Sequence, residues 1–324
     1  MRIVRVREFG PPQVMRIEEA DAPRPAAGQV AVAVEVAGAI YAETIVRSGR
    51  YPLPLPYDPG IEVGGRVTEV GPDVDPSLVG TRVVATSLGN TGGYAEVAVA
   101  ASGDVFAVPD ALTLEQAVPV FQAGAVAVGV LTAMGVRAGE SVLVTAAAGR
   151  IGSMLVQLAG RLGAGPVIGG VGGPGKRDAA AGFGADVTVD YGGPGWVETV
   201  RKATGGRGAD VVVDAIGGAI GAQALEATAD GGRFGVYGFA SGTWTPIDTL
   251  QVVRRGLSVI GPLGIALARP RAEQRADVEQ ALAAAVAGDL TARVHAVYPL
   301  EDAVQAHLDL ESRRTVGAVL LSTR

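Results

Sequence analysis

One run of residues restricts the fold more than any other. Val142-Leu143-Val144-Thr145 passes directly into the small-residue turn Ala146-Ala147-Ala148-Gly149-Arg150-Ile151-Gly152, and an amphipathic helix over 153–162 follows. A strand, a tight turn and a helix make one βα unit, which buries its strand only beside parallel neighbours. From about residue 119 to 264 the sequence supplies them. Short apolar runs at 141–145, 167–171, 186–191, 210–216, 233–238 and 258–264 alternate with helical stretches at 150–162, 176–183, 196–204, 222–229 and 247–255. Six nearly continuous apolar strands with helices between them predict an α/β fold: a doubly wound parallel sheet, covered on both faces, with right-handed crossovers.

The flanks follow a different rhythm. Up to Val108 the sequence reads as short strands at 30–36, 61–70, 82–86, 94–99 and 105–108, punctuated by Gly and Pro, which predicts a small β domain. After Pro270 come a helix over 271–287, a strand over 293–298, a helix from about Glu301 and a strand over 317–321. This tail has too little apolar surface to fold alone, so it is expected to rejoin the first domain and complete its sheet. With 324 residues the chain exceeds the usual size of one core. The expected division is 1–118 with 270–324 for one domain and 119–269 for the other.

Several function classes are excluded by composition. The chain has no cysteine and two histidines, His295 and His307, so thiolate zinc sites, disulfides and thiol nucleophiles are ruled out. A formal charge of −6 with scattered basic residues argues against a nucleic-acid surface. The opening MRIVRVREFG alternates charge with apolar residues and reads as a strand, not a signal peptide. The apolar stretch 117–131, with Pro119 and Gln122 in it, falls short of a membrane span. The expectation is a soluble cytoplasmic protein with no membrane partner. Both histidines read as structural or exposed.

The 146–152 turn is a partial match to the G-x-G-x-x-G dinucleotide fingerprint, with Ala147 at its first glycine. A helix N-terminus offers unpaired amides and positive potential to a pyrophosphate. Gly149 lets the backbone approach that group, and Gly152 lets the helix pack on the strand. About twenty residues on, where NAD-selective sites carry a carboxylate, the sequence reads Val167-Ile168-Gly169-Gly170-Val171-Gly172-Gly173, followed by Lys176 and Arg177, and Tyr191 ends the next strand. A lysine and a phenol suit a 2′-phosphate, so the expected cofactor is NADPH.

Further motifs then accumulate in a familiar order. Pro59-Gly60-Ile61-Glu62-Val63-Gly64-Gly65-Arg66-Val67 with Val70-Gly71, then Gly184-Ala185-Asp186, Asp190-Tyr191, Gly205-Gly206-Arg207-Gly208-Ala209-Asp210, Asp214-Ala215-Ile216-Gly217-Gly218, Gly231-Gly232-Arg233 and Tyr298-Pro299-Leu300-Glu301-Asp302-Ala303 resemble the medium-chain dehydrogenases/reductases. The branch is the zinc-free quinone oxidoreductase (zeta-crystallin-like) group. The resemblance implies a GroES-like β domain, an inserted Rossmann domain with NADPH in the cleft between them, and a homodimer joined through the strand at 258–264. Carried over, Ala148, Gly149, Arg150 and Ile151 would hold the pyrophosphate, and Gly172, Lys176 and Tyr191 the adenosine phosphate end. Gly217 and Gly218 would flank adenine or ribose. Tyr237, Gly238 and Phe239, with Pro262 and Leu263, would line the nicotinamide side.

Two positions depart from the family pattern. The segment Gly38-Ala39-Ile40-Tyr41-Ala42-Glu43 carries Ile40 where the family has Asn, and Val126 stands where it has Thr. Ile40, Tyr57 and Gln122 are therefore the expected substrate pocket, more apolar than in the relatives. Tyr41 and Tyr51 are the expected hydrogen-bond donors to a developing oxyanion, with Tyr57 a further donor. Glu43 is expected to pair with Arg47 at i,i+4. The implied activity is metal-free hydride transfer from NADPH to a small quinone or enone. The alternatives are an enoyl reductase tailoring a secondary metabolite or thioester, and a non-catalytic NADPH-binding scaffold.

Overall fold

In the computed structural model, which describes residues 1–324, fifteen strands and ten helices form. In chain order they are β1 (Arg2–Val6), β2 (Met15–Glu19), β3 (Gln29–Ala39), α1 (Tyr41–Arg47), β4 (Glu62–Val70), β5 (Arg82–Thr86), β6 (Val97–Ala101), β7 (Val105–Ala107), α2 (Leu114–Met134), β8 (Val142–Val144), α3 (Arg150–Arg161), β9 (Val167–Val171), α4 (Arg177–Gly182), β10 (Val187–Asp190), α5 (Trp196–Ala203), β11 (Ala209–Asp214), α6 (Gly218–Glu226), β12 (Thr228–Val236), α7 (Thr249–Arg255), β13 (Ser258–Ile260), α8 (Pro262–Leu267), α9 (Arg271–Val286), β14 (Val294–Pro299), α10 (Ala303–Ser312) and β15 (Ala318–Ser322). The chain divides into two units, Met1–Gln122 with Leu282–Arg324, and Ala123–Ala281.

The first unit is built on β3, whose alternating Val and Ala give it one face for the core. Val30, Val32 and Val34 are buried there with Val63, Val67, Val83, Tyr94 and Leu321. The seven-stranded sheet runs β14-β15-β3-β4-β5-β7, and β6 also pairs with β3. Strand β3 is long enough to take two partners along one side: β6 lies against Gln29–Ala33 and β15 against Val36–Ala39. The tail thus contributes two strands to this sheet, β15 antiparallel to β3 and β14 parallel to β15.

The second unit is the doubly wound α/β sheet. Six parallel strands lie in the order β10-β9-β8-β11-β12-β13, so the winding reverses between β8 and β11. Leu143, Ile168, Val212 and Phe234 from successive strands form the core with Trp196, Val200 and Leu225 from the helices.

Four local expectations are corrected. Strand 94–99 is displaced to Val97–Ala101, because the Tyr94 carbonyl accepts instead from the Val4 amide. The helix placed at 222–229 begins at Gly218 and ends at Glu226, since Thr228 already belongs to β12. Strand 258–264 stops at Ile260, and Pro262, which has no ladder amide, opens α8 instead. The apolar stretch 117–131 is part of a 21-residue helix, α2, long and apolar enough to cross a membrane; 72% of its most apolar window is buried inside the protein. Thr113 starts that helix through a capping box, its Oγ1 accepting from the Gln116 amide while Gln116 Oε1 accepts from the Thr113 amide.

Candidate active site

The ligand end of a doubly wound sheet lies at the carboxyl ends of the strands where the order reverses. Here those strands are β8 and β11, and their last polar residues are joined. Thr145 Oγ1 donates to Asp214 Oδ1 at 2.8 Å and accepts from the Ala215 amide at 2.9 Å. The fully buried Asp214 carboxylate also accepts from the Ile216 and Gly217 amides, each at 3.0 Å, and from Thr245 Oγ1 at 3.0 Å. Four donors on one carboxylate fix the turn 215–217 and the loop at 245 to the end of β8.

The turn after β8 is tied down on both sides. The Thr145 amide donates to Val213 O and the Ala147 amide to Gly170 O. Ala146 takes a left-handed φ of 53°, a conformation that costs a non-glycine residue about 1 kcal/mol. A Cβ on Gly152 would stand 2.1 Å from Ala146 O, so glycine is required for α3 to start this close to the strand end. The N-cap of α3 is Gly149, and no side chain caps the helix. The first-turn amides at Arg150 and Ile151 lack intrahelical acceptors by geometry, and Ala148 immediately precedes the cap. A helix start of this kind can hold an anion.

At the end of β9 a Cβ on Gly170 or Gly172 would come within 3.3 or 3.1 Å of the Tyr191 ring. These glycines let the ring lie across the strand end, where the Tyr191 amide donates to Val171 O and Trp196 supports the ring edge-on at 6.5 Å. Lys176 follows in a short 3-10 turn, half-buried, and burial pulls its ammonium below the usual lysine value. Arg177 is committed elsewhere, donating to Thr188 Oγ1 and O on β10. Gly172 and Tyr191 therefore meet at the end of β9, with Lys176 in the turn that follows, and this strand end is linked to the 146–152 turn through the Ala147–Gly170 bond.

On the other side of the reversal, Gly217 and Gly218 have left-handed φ values of 70° and 56°. Loop 237–243 lies against them, with the Tyr237 amide on Asp214 O, the Ala240 amide on Ala215 O and the Ser241 amide on Ile216 O. Gly238 lies so near the same turn that a Cβ on it would stand 2.9 Å from Ala215 O. Burial, with the charge of Asp214, pushes the Tyr237 phenol up. The Phe239 ring is 4.3 Å from that of Trp244. Pro262 is buried at the start of α8 beside Gly235 on β12, and Leu263 is half-buried.

The expected acceptor-side residues all lie in the first unit. Ile40 is the N-cap of α1, and Tyr41, half-buried, is its first residue. The anticipated Glu43–Arg47 pair does not form. Glu43 is buried and accepts from the Ile40 amide at 3.3 Å, the Ile61 amide at 3.0 Å and the Tyr94 hydroxyl. Arg47 turns the other way, donating to Gly10 O at 2.6 Å and to Glu311. His307 completes a buried group, its Nε2 lying 3.2 Å from the Tyr94 hydroxyl. Burial, reinforced by Glu62, raises Glu43 to about 7, and burial with the nearby Arg47 drops His307 to about 3. Tyr57 is buried and its phenol oxygen has no hydrogen-bond partner. Tyr51 is 67% exposed, apart from this group. Gln122 Nε2 donates to Thr86 Oγ1 at 3.1 Å.

The sequence reading missed Asp214, Thr145 and the Glu43–Tyr94–His307 group. The first two had a signal: each is the polar residue closing an otherwise apolar run, Val211–Val213 and Val142–Val144.

Comparison with known proteins gives consistent results. The alcohol dehydrogenase GroES-like domain family matches residues 26–110, and the zinc-binding dehydrogenase family matches residues 151–287. The quinone oxidoreductase of Sus scrofa is 32% identical over 331 residues, covering 99% of this chain and 97% of the relative. That of Pseudomonas aeruginosa is 31% identical over 316 residues, covering 97% of each. The crystal structure of Escherichia coli quinone oxidoreductase complexed with NADPH superimposes with a TM-score of 0.92 at 30% identity, covering 99% of this chain and all of that one.

Proposed function

Because the chain belongs to the quinone oxidoreductase family of the medium-chain dehydrogenases/reductases, we propose that it transfers a hydride from NADPH to a small quinone or α,β-unsaturated carbonyl. The observation that carries this reading is the uncapped N-terminus of α3 beside the Gly172–Lys176–Tyr191 cluster. The first suits a pyrophosphate and the second a 2′-phosphate. Ala148, Gly149, Arg150 and Ile151 would take the diphosphate. Gly217 and Gly218 would flank adenine or ribose, and Tyr237, Gly238, Phe239, Pro262 and Leu263 would border the nicotinamide.

When bound, NADPH supplies the hydride, and one proton from a side chain or solvent completes the two-electron reduction. The chain's task is to hold the acceptor, exclude water and donate a hydrogen bond to the oxygen that gains charge. Tyr41 and Tyr51 are proposed donors. Tyr57 joins them, because a buried phenol without a partner is costly unless a ligand satisfies it. Ile40 and Gln122 would complete the pocket wall. The metal-free reading is supported by the absence of cysteine, which zinc-dependent relatives would need. We read the protein as a cytoplasmic homodimer. Support for the dimer comes from β13, an edge strand with Val259 exposed, flanked by exposed Val253 on α7 and Leu267 on α8.

Calorimetric titration with NADPH and NADH, followed by turnover on quinones and simple enones, tests the reading. Lys176→Ala is expected to weaken NADPH binding about 10–100-fold, as for loss of a charge-assisted hydrogen bond of about 1.5–3 kcal/mol, and to leave NADH within about twofold. Equal losses for both nucleotides would remove the 2′-phosphate argument. No heat with either would remove the whole proposal. Tight NADPH binding without turnover on any acceptor would leave only the scaffold reading.

A further inference from the structure

Three buried side chains from separate segments of the first unit make one hydrogen-bond chain. Glu43 comes from α1, Tyr94 from the segment before β6 and His307 from α10, and none is more than 3% exposed. The Tyr94 hydroxyl stands between the other two, against Glu43 Oε2 on one side and 3.2 Å from His307 Nε2 on the other. A phenol has one hydrogen to give, so the chain has two arrangements. With Glu43 ionised, Tyr94 donates to it and His307 presents Nε2–H to the Tyr94 oxygen. With a proton kept on Glu43, that carboxyl group donates to Tyr94 and Tyr94 donates to Nε2. The imidazole hydrogen then sits on Nδ1, which is buried without a partner. The proton on Glu43 and the tautomer of His307 are therefore one variable.

The surroundings favour the protonated arrangement. Glu43 shares its site with a second buried carboxyl group, Glu62 on β4, and with the phenol of Tyr57, already a proposed donor to the acceptor. Arg47, on the same helix, is turned to Gly10 O and Glu311. Burial, reinforced by Glu62, holds the proton of Glu43 up to about pH 7. A charge formed there is relieved when α1, which carries Glu43, moves away from β4, which carries Glu62. Such a movement reaches the acceptor side, because Glu43 Oε2 accepts from the Ile40 amide, Oε1 accepts from the Ile61 amide, and Tyr41 opens α1. We propose that protonated Glu43 positions the Ile40–Tyr41 wall for the acceptor, and that Tyr94 relays the loss of this proton to His307 on the carboxyl-terminal tail. This rests on the reduction proposed above and adds to it a positioning residue and a pH response.

NMR of the full-length protein carrying isotope-labelled histidine reads the tautomer directly; the chain has two histidines, and the exposed His295 is assigned with His295→Gln. His307 should be the Nδ1–H tautomer at pH 6 and the Nε2–H tautomer at pH 8, without passing through the cation. The KM for 9,10-phenanthrenequinone should rise about tenfold over the same interval with kcat unchanged, since about one molecule in eleven keeps the competent form one pH unit above the midpoint. Amide exchange of peptides spanning 40–47, corrected for its intrinsic pH dependence, should accelerate in parallel. Glu43→Gln has a hydrogen to donate at every pH, so all three responses should flatten. Tyr94→Phe cuts the relay, so His307 should stop following pH while the acceptor KM still does. The wild-type titration decides the matter alone where a variant fails to fold. A His307 tautomer fixed from pH 6 to 8, a flat acceptor KM, unchanged exchange at 40–47, or responses that persist in Glu43→Gln would each overturn the proposal. No turnover on any acceptor, with the tautomer and exchange responses intact, would sink the reductase reading and leave the relay and the movement of α1 standing. Turnover with a fixed tautomer would do the reverse.

Discussion

The two titrating groups buried side by side in the first unit bias stability in opposite directions with pH. Glu43 is held at about 7 against an ordinary value of 4.5. Below pH 4.5 both folded and unfolded chains keep that proton, and the group contributes no penalty. Between pH 4.5 and 7 the unfolded chain ionises first, so stability falls as pH rises, by up to about 1.4 kcal/mol per pH unit and about 3 kcal/mol in all. His307 is held at about 3 against 6.5. Above pH 6.5 it is neutral in both states; below, the unfolded chain gains a proton that the folded chain refuses, so stability falls with decreasing pH at the same limiting slope. Between pH 4.5 and 6.5 the two slopes cancel. Glu43→Gln removes one of them. Urea unfolding of variant and wild type, followed by far-UV circular dichroism from pH 4 to 8, should show the variant gaining about 3 kcal/mol on the wild type between pH 4.5 and 7, over a constant offset from its altered hydrogen bonds. Tryptophan fluorescence is unsuitable, since Trp196 and Trp244 both lie in the other unit. A difference that stays flat within about 1 kcal/mol across that window would falsify the assignment of a buried, proton-retaining Glu43.

Two further outcomes follow from the switch-point geometry. Asp214→Asn places an amide NH2 against groups that now donate to the carboxylate; a loss of about 2–4 kcal/mol in thermal unfolding is expected, together with a raised KM for NADPH. An unchanged melting temperature would show that the four bonds to Asp214 do not organise the turn. Gly152→Ala drives a methyl into Ala146 O, so it should cost about 1–3 kcal/mol and weaken NADPH binding more than tenfold; full binding by calorimetry would place the diphosphate elsewhere.

Local signals explain which parts were legible. Strands β5 and β9 were read to the residue, 82–86 and 167–171, because glycine or proline punctuation brackets each apolar run. The start of α6 was missed because Gly217-Gly218 reads as loop, yet the helix opens at Gly218, whose left-handed φ of 56° suits a glycine. The Glu43–Arg47 pair failed for a different reason. Spacing at i,i+4 shows only that two side chains can meet on a helix, whereas α1 is buried on this side and offers each a stronger remote partner, Tyr94 for one and Glu311 for the other. The glycine-rich turn, Lys176 and Tyr191 could be proposed from sequence alone because phosphate recognition uses residue types in a fixed local order.

The double partnership of β3 has a consequence for biosynthesis. While the ribosome is still translating the second unit, the half of β3 at Val36–Ala39 is paired on its β4 side alone, because β15 lies at Ala318–Ser322. The buried guanidinium of Arg47 likewise waits for Glu311. The contiguous Ala123–Ala281 segment can close as soon as it emerges, whereas the amino-terminal part cannot complete its sheet until β14 and β15 arrive. Nascent chains stalled before Ala318 should therefore be protected from protease in the middle and cleavable at both ends.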